Sequence, residues 1–339
     1  MIPPFFTVRG GFVTEAFVDF PAYTAGYGLS NGHIQTIFPH LMRRVDVPFQ
    51  RSQLELPDGD FLTLDTLAQA DRSAPWLVVS HGMEGSSRAH YIQGLAKYFY
   101  QAGWSVQAWN FRSCGGSMNR LPRLYHSGTV DDLNSVIEHV VSQHQAEQIF
   151  LAGFSMGGNQ TLLALADPNL AAQVVGGVGF SVPLDLTSCA EELAKPAQRI
   201  YMKRFLKDLK VKIEHKARQF PKLVSSTGFD EIQTFHQFDE RYTAPLHGFD
   251  SAADYWQRCS SKPALSQLQR PTLVVNADND PFLSRQSKDC RCLERCKHLQ
   301  LEIPMSGGHV GFARWRINKP LWTEMRALSF AQSLLQRNH

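Results

Sequence analysis

Ser155 stands in Gly153-Phe154-Ser155-Met156-Gly157, behind the apolar run from Ile149 and ahead of the helix-compatible GGNQTLLALA. A serine hydroxyl is a poor nucleophile at its free pKa and needs a base within hydrogen-bond reach. Of thirteen histidines, His309 is the best placed, because LQLEIPMSGGHVGF sets it just after a strand-like run in a Ser306-Gly307-Gly308 turn. Between the two, TLVVNADNDPF offers Asp278 and Asp280 as the acid that would hold the imidazole tautomer. Asp280 is preferred because Pro281 fixes the turn behind it, which leaves Asp278 to brace the loop. Asp185, after GFSVPL, ranks third.

Attack on an acyl carbonyl also requires donors for the oxyanion. The backbone N–H of Met156, one residue past the serine, is one candidate, and the loop SHGMEGSS supplies the N–H of Met83 as the other. His81 in that loop reads as a structural hydrogen-bonding residue, since the chain order serine, acid, histidine already gives the base to His309.

These residues need elements to position them. Apolar runs recur with helix-like spacers: WLVVS, WSVQAW, IFLAG, VVGGVGF, TLVVNA and LQLEI. Continuous apolar strands of this kind, buried on both faces, mark a parallel sheet. LELPDGDFLTLDTL, with Pro57-Asp58-Gly59 at its centre, reads as an antiparallel hairpin feeding that sheet. Val130, Leu133, Val136, Ile137, Val140 and Val141 predict an amphipathic helix, with Thr129 as N-cap and Asp132 completing a variant capping box. Leu321, Met325, Leu328 and Leu335 predict a terminal helix with Pro320 in its first turn. The expectation is a mostly parallel central sheet flanked by helices, an α/β-hydrolase fold built as one domain over residues 1–339. About ninety residues separate Phe180 from Thr272, far more than a crossover requires, and predict an inserted helical cap over about residues 183–267.

Composition is that of an ordinary globular chain, with 43% apolar and 19% charged residues. A net charge of +3 does not by itself point to a nucleic-acid partner. No apolar stretch approaches the roughly 18 residues of a membrane span, and MIPPFFTVRGG lacks the basic end and apolar length of a secretory signal, so a cytoplasmic location is expected. Six cysteines without regular spacing predict free thiols. Cys290, Cys292 and Cys296, followed by His298, have a C-x-C-x3-C spacing that lacks a metal knuckle. In the insertion, IYMKRFLKDLKVKIEHKARQFPK places Met202, Phe205, Leu206, Leu209, Ile213 and Phe220 on one helical face. Lys203, Arg204, Lys207, Lys210, Lys212, Lys216, Arg218 and Lys222 crowd the remainder, which reads as a lid helix with solvated charges, at most touching a membrane periphery.

NGHIQTIFPHL, SHGMEGSS, NFRSCGGSMNRLPRLYHSG, GFSMGGN, SVPLDLTSCAEEL, TAPLHGF, NADNDPF and GGHVGF, in this order from about Gly32 to near the C-terminus, resemble the YheT-like esterases of α/β-hydrolase family 4. The resemblance implies Ser155 as nucleophile, Asp280 as acid and His309 as base, and names carboxylic esters, with lipid hydrolysis among eukaryotic relatives. One departure stands out: Ser113 occupies a position where the family has glycine, at a local cost if the backbone there has positive φ. The activity expected is therefore that of a serine carboxylesterase acting on a small-molecule acyl ester, possibly lipid-like, with no metal or organic cofactor. The alternatives are a thioesterase or acyltransferase on the same triad, and a non-catalytic scaffold binding lipid or protein through the basic helix.

Overall fold

In the computed structural model, which describes residues 5–9, 20–288 and 296–336, the apolar runs become the strands of one nine-stranded sheet. In chain order the strands are β1 (Phe5–Arg9), β2 (Gln50–Glu55), β3 (Phe61–Leu67), β4 (Trp76–Ser80), β5 (Ser105–Asn110), β6 (Ile149–Phe154), β7 (Val174–Phe180), β8 (Thr272–Val275) and β9 (Leu299–Pro304). Across the sheet they run β1-β9-β8-β7-β6-β4-β5-β3-β2. Pairing from β5 through β9 is parallel, while β1, β2 and β3 pair antiparallel. The hairpin at Pro57-Asp58-Gly59 is β2–β3, as the turn residues predict. β1, which joins β9 at the far edge, was not anticipated.

Helices cover both faces. α1 (Gly32–Met42) precedes the sheet core; α2 (His90–Gln101), α3 (Val130–His144) and α4 (Met156–Leu165) are crossovers; α11 (Trp322–Leu335) closes the chain. Leu95 and Phe99 of α2 and Phe330 of α11 pack on one face of the sheet, and Leu133 and Val136 of α3 with Leu162 of α4 on the other. Leu151 and Phe150, neighbours on β6, belong to these opposite cores, the alternation a strand imposes.

Two predicted helix starts are corrected. Thr129 is the N-cap of α3, but its side chain makes no capping bond; Oγ1 instead donates to the His126 carbonyl and accepts from the His126 N–H. Asp132 does not complete a capping box, because its carboxylate is drawn to Arg112 at 2.7–3.2 Å. Pro320 lies outside α11, whose N-cap is Leu321.

The segment between β7 and β8 contains helices and turns only: α5 (Leu186–Leu193), α6 (Arg199–Gln219), α7 (Phe235–Phe238), α8 (Ala244–His247) and α9 (Ala252–Cys259), the last two preceded by a π-turn over Asp239–Thr243. It has a core of its own, including Leu206, Leu209 and Ile213 of α6 with Phe229, Tyr242 and Trp256. A short α10 (Arg285–Lys288) follows β8.

The expected solvated face of α6 needs correction in part. Lys212 and Lys216 are buried, because they reach across to the main sheet's loops: Lys212 Nζ lies 2.6 Å from Glu84 Oε1, and Lys216 Nζ donates to the Asn119 carbonyl at 2.6 Å. Phe220 falls at the C-cap, outside the helix. Cys114, Cys189 and Cys259 are buried free thiols. Cys290 and Cys292 lie outside the described residues. Among those described, no helix is long and apolar enough to cross a membrane.

Candidate active site

Three parallel strands and the loops at their carboxyl ends assemble the site, at the point where strand order reverses about β4. β6 ends at Phe154, and Ser155 turns the chain into α4 with φ 54° and ψ −120°, a backbone region that L-residues rarely occupy. The flanking glycines make this turn possible by close approach. A Cβ on Gly153 would lie 2.3 Å from the Gly157 carbonyl oxygen, and one on Gly157 would lie 2.3 Å from that of His81. Ser155 is thus held between two strands with Oγ free to meet another residue.

That residue is His309. Its Nε2 is 2.9 Å from Ser155 Oγ, and its Nδ1 is 2.9 Å from Asp280 Oδ2 and 3.1 Å from Oδ1. A carboxylate on Nδ1 fixes that nitrogen as the N–H donor and leaves Nε2 to accept from the serine. The Asp280 side chain is fully buried and also accepts from the Phe282 N–H at 2.8 Å. The other acids that the sequence offered do not join this chain. Asp278 is 57% exposed, with Lys288 beside it, and Asp185 caps α5 by accepting from the Ser188 N–H.

His81 is fully buried. Its Nδ1 donates to the Gly82 carbonyl at 2.7 Å and its Nε2 accepts from the Phe111 N–H at 3.1 Å. Burial takes its pKa down to about 3, so the ring stays neutral and ties β4 to β5. The loop after it is braced on both sides of Met83. Tyr91 Oη accepts from the Gly82 N–H, Tyr125 Oη accepts from the Glu84 N–H, and Glu84 has a φ of 54°. Met83, between them, and Met156, the first residue of α4, both line a slot with Ser155 and His309.

Several contributors carried no signal in the sequence. Phe282 stacks on the His309 ring, with centroids 4.0 Å apart and planes at 21°. Thr36 Oγ1, from α1, accepts from the His309 N–H, and Asn279 Oδ1 accepts from the Gly308 N–H. Asp239 lines the slot with its carboxyl raised to about 7 by burial, while Thr243 Oγ1 and Trp256 Nε1 donate to it. Ser113 adopts a φ of 61°, the strained case foreseen for that position, and donates from Oγ to Asn119 Oδ1 at 2.5 Å.

The slot holds about 80 Å³, and Leu186, Leu193, Phe205 and Phe235 of the β7–β8 segment form much of its wall. Pockets for drug-sized ligands measure roughly 300–1,000 Å³. The slot is therefore small, and its walls are mostly apolar, with Asp239 the acid among them.

Comparison with known proteins places this geometry in context. A family model described as the alpha/beta hydrolase fold matches residues 75–313. The chain is 32% identical over 317 residues to a protein named "Putative esterase YheT" from Escherichia coli, with 91% of this chain and 92% of that one aligned. It is 24% identical to human phospholipase ABHD3, over 91% of this chain and 78% of the relative. Among solved structures, an esterase of Pyrococcus furiosus superposes with a TM-score of 0.57 at 16% identity, over 92% of this chain and all of that one.

Proposed function

The chain belongs to the α/β-hydrolase family and to its YheT-like branch, and from that premise we propose that it is a serine hydrolase of carboxylic esters. The observation that carries the reading is the continuous hydrogen-bonded chain Ser155–His309–Asp280 at a strained strand-to-helix turn. In this reading Ser155 Oγ attacks the ester carbonyl as its proton passes to His309 Nε2. Asp280 stabilises the imidazolium that results. The N–H groups of Met83 and Met156 hold the oxyanion, the alcohol leaves with the proton from His309, and water repeats the sequence to release the acid.

Residues 1–339 are taken as one α/β-hydrolase domain, with the helical segment from about 183 to 267 as its cap. The apolar slot beneath that segment favours an acyl chain over a polar acid, in keeping with relatives named as esterase and phospholipase.

Hydrolysis of p-nitrophenyl esters of increasing acyl length, with single substitutions, tests the assignment. Asp280→Asn is expected to lower kcat by orders of magnitude and Asp278→Asn to leave it within a few-fold. The reverse ranking would remove Asp280 from the triad.

A further inference from the structure

The outer face of α1 departs from the usual order of burial. Its buried residues are Gly32, Gln35 and Pro39, while Ile34, Ile37, Leu41 and Met42 are 37–59% exposed. Positions i, i+3, i+7 and i+8 share one side of a helix, so the four form a single apolar stripe directed away from the protein. The stripe does not stand alone. Trp315, 62% exposed, meets Phe38 of α1 edge-on at 5.8 Å, and its Nε1 donates to the carbonyl of Tyr27, itself 97% exposed. An apolar and aromatic surface is thus continuous across three parts of the chain. Contiguous exposed patches of this kind mark interaction sites on soluble folds.

Charge beside the patch is mainly basic, with Asp46 the exposed acid just beyond α1. Arg314 and Arg316 flank Trp315 in sequence, Arg44 lies two residues after Met42, and Arg204 of α6 reaches α1 through His40 Nε2 at 2.9 Å. All four are exposed, and none pairs with a carboxylate among the described residues. Unpaired arginines around exposed tryptophan, tyrosine and aliphatic side chains match the layered chemistry of a lipid surface, with anionic headgroups over acyl chains.

We propose that this face, α1 with Tyr27 and Trp315 and its arginine rim, docks on an anionic lipid surface. The α6 helix joins the contact at Arg204, while Lys212 and Lys216 turn inward and take no part. Docking here sets the candidate site close to the lipid, since Thr36 on the same helix holds the His309 backbone. The inference does not rest on the hydrolytic reading, for binding needs no turnover.

The test is co-sedimentation with vesicles of phosphatidylglycerol and phosphatidylcholine, and of phosphatidylcholine alone, using the full chain and its Ser155→Ala form. Both forms should partition onto the anionic vesicles alike. Leu41→Glu/Met42→Glu, at exposed positions that leave the fold intact, should weaken partitioning at least tenfold. Arg314→Gln/Arg316→Gln should weaken it and flatten its salt dependence. Hydrolysis of a short soluble ester should be unchanged in both variants. Vesicle partitioning that is absent, or equal in wild type and Leu41→Glu/Met42→Glu, overturns the proposal. So does a dimer in solution that the same variant dissolves, because the face would then be covered by a second copy.

Discussion

Lys212→Met removes the cation that α6 sends into the loop of Met83. In the native protein Lys212 Nζ lies 2.6 Å from Glu84 Oε1 and 3.1 Å from Cys114 Sγ, with the two charged side chains only 7% and 6% exposed. Burial pushes the ammonium pKa down, but Cys114 and Glu84 outweigh it and hold it above its ordinary value. A lysine raised on folding contributes its full stabilisation below its unfolded pKa near 10.5 and loses it as pH rises through the folded value, so assays near pH 7.5 read the whole effect. Without Lys212 the Glu84 carboxylate keeps the Tyr125 hydroxyl as donor but is a buried charge without a counter-charge. Breaking a buried pair in this way costs about 3–5 kcal/mol, a large share of the roughly 5–15 kcal/mol that holds a domain folded. Urea denaturation should show that loss. Glu84 follows Met83 directly, so kcat should fall as well, toward the roughly 10²–10³ typical of a lost oxyanion donor. The double variant Lys212→Met/Glu84→Gln separates charge from shape, since a neutral amide can still accept from Tyr125. It should recover at least about 2 kcal/mol relative to Lys212→Met. A single variant costing under about 1 kcal/mol, or a double variant no more stable than the single, would refute the reasoning.

Other consequences follow from the same packing. Lys216 is buried, and burial takes its pKa down from 10.5 to about 8, so its charged form is penalised in the fold at neutral pH. Between these values the unfolded chain holds a proton that the folded one has released, and stability should rise with pH by up to about 1.4 kcal/mol per unit. The stability of wild type relative to Lys216→Met, measured by urea denaturation at pH 7.5 and 9, should therefore increase by about 1 kcal/mol; a flat or falling difference contradicts the assignment. Gly157→Ala puts a Cβ 2.3 Å from the His81 carbonyl oxygen and should cost about 3 kcal/mol or more by thermal denaturation. A variant as stable as wild type would show that β4 and β6 yield at this turn.

The strands of the parallel core were legible because they read as mostly apolar runs buried on both faces, while polar, exposed β2 was legible only through its hairpin turn and β1 was not seen at all. Ser155, Asp280 and His309 could be picked out because each follows such a run, so strand order alone brings them to one end of the sheet. α1 was hidden for the opposite reason: its apolar residues face outward and its buried ones are Gly32, Gln35 and Pro39, so periodicity gives no inward face. Lys212 and Lys216 looked like solvated charges because nothing local tells of partners about a hundred residues away in sequence. The same holds for Thr36 and Phe282, whose contacts with His309 exist only once the sheet is assembled.

The central claim is that Ser155 is the nucleophile, and an alkyl fluorophosphonate tests it most directly because covalent capture requires an activated serine. Mass spectrometry of the native protein should find one adduct, on Ser155, formed at a rate that vanishes in His309→Ala. Folded protein that takes up no label, or takes it up on another serine while Ser155→Ala labels at the native rate, would contradict the account.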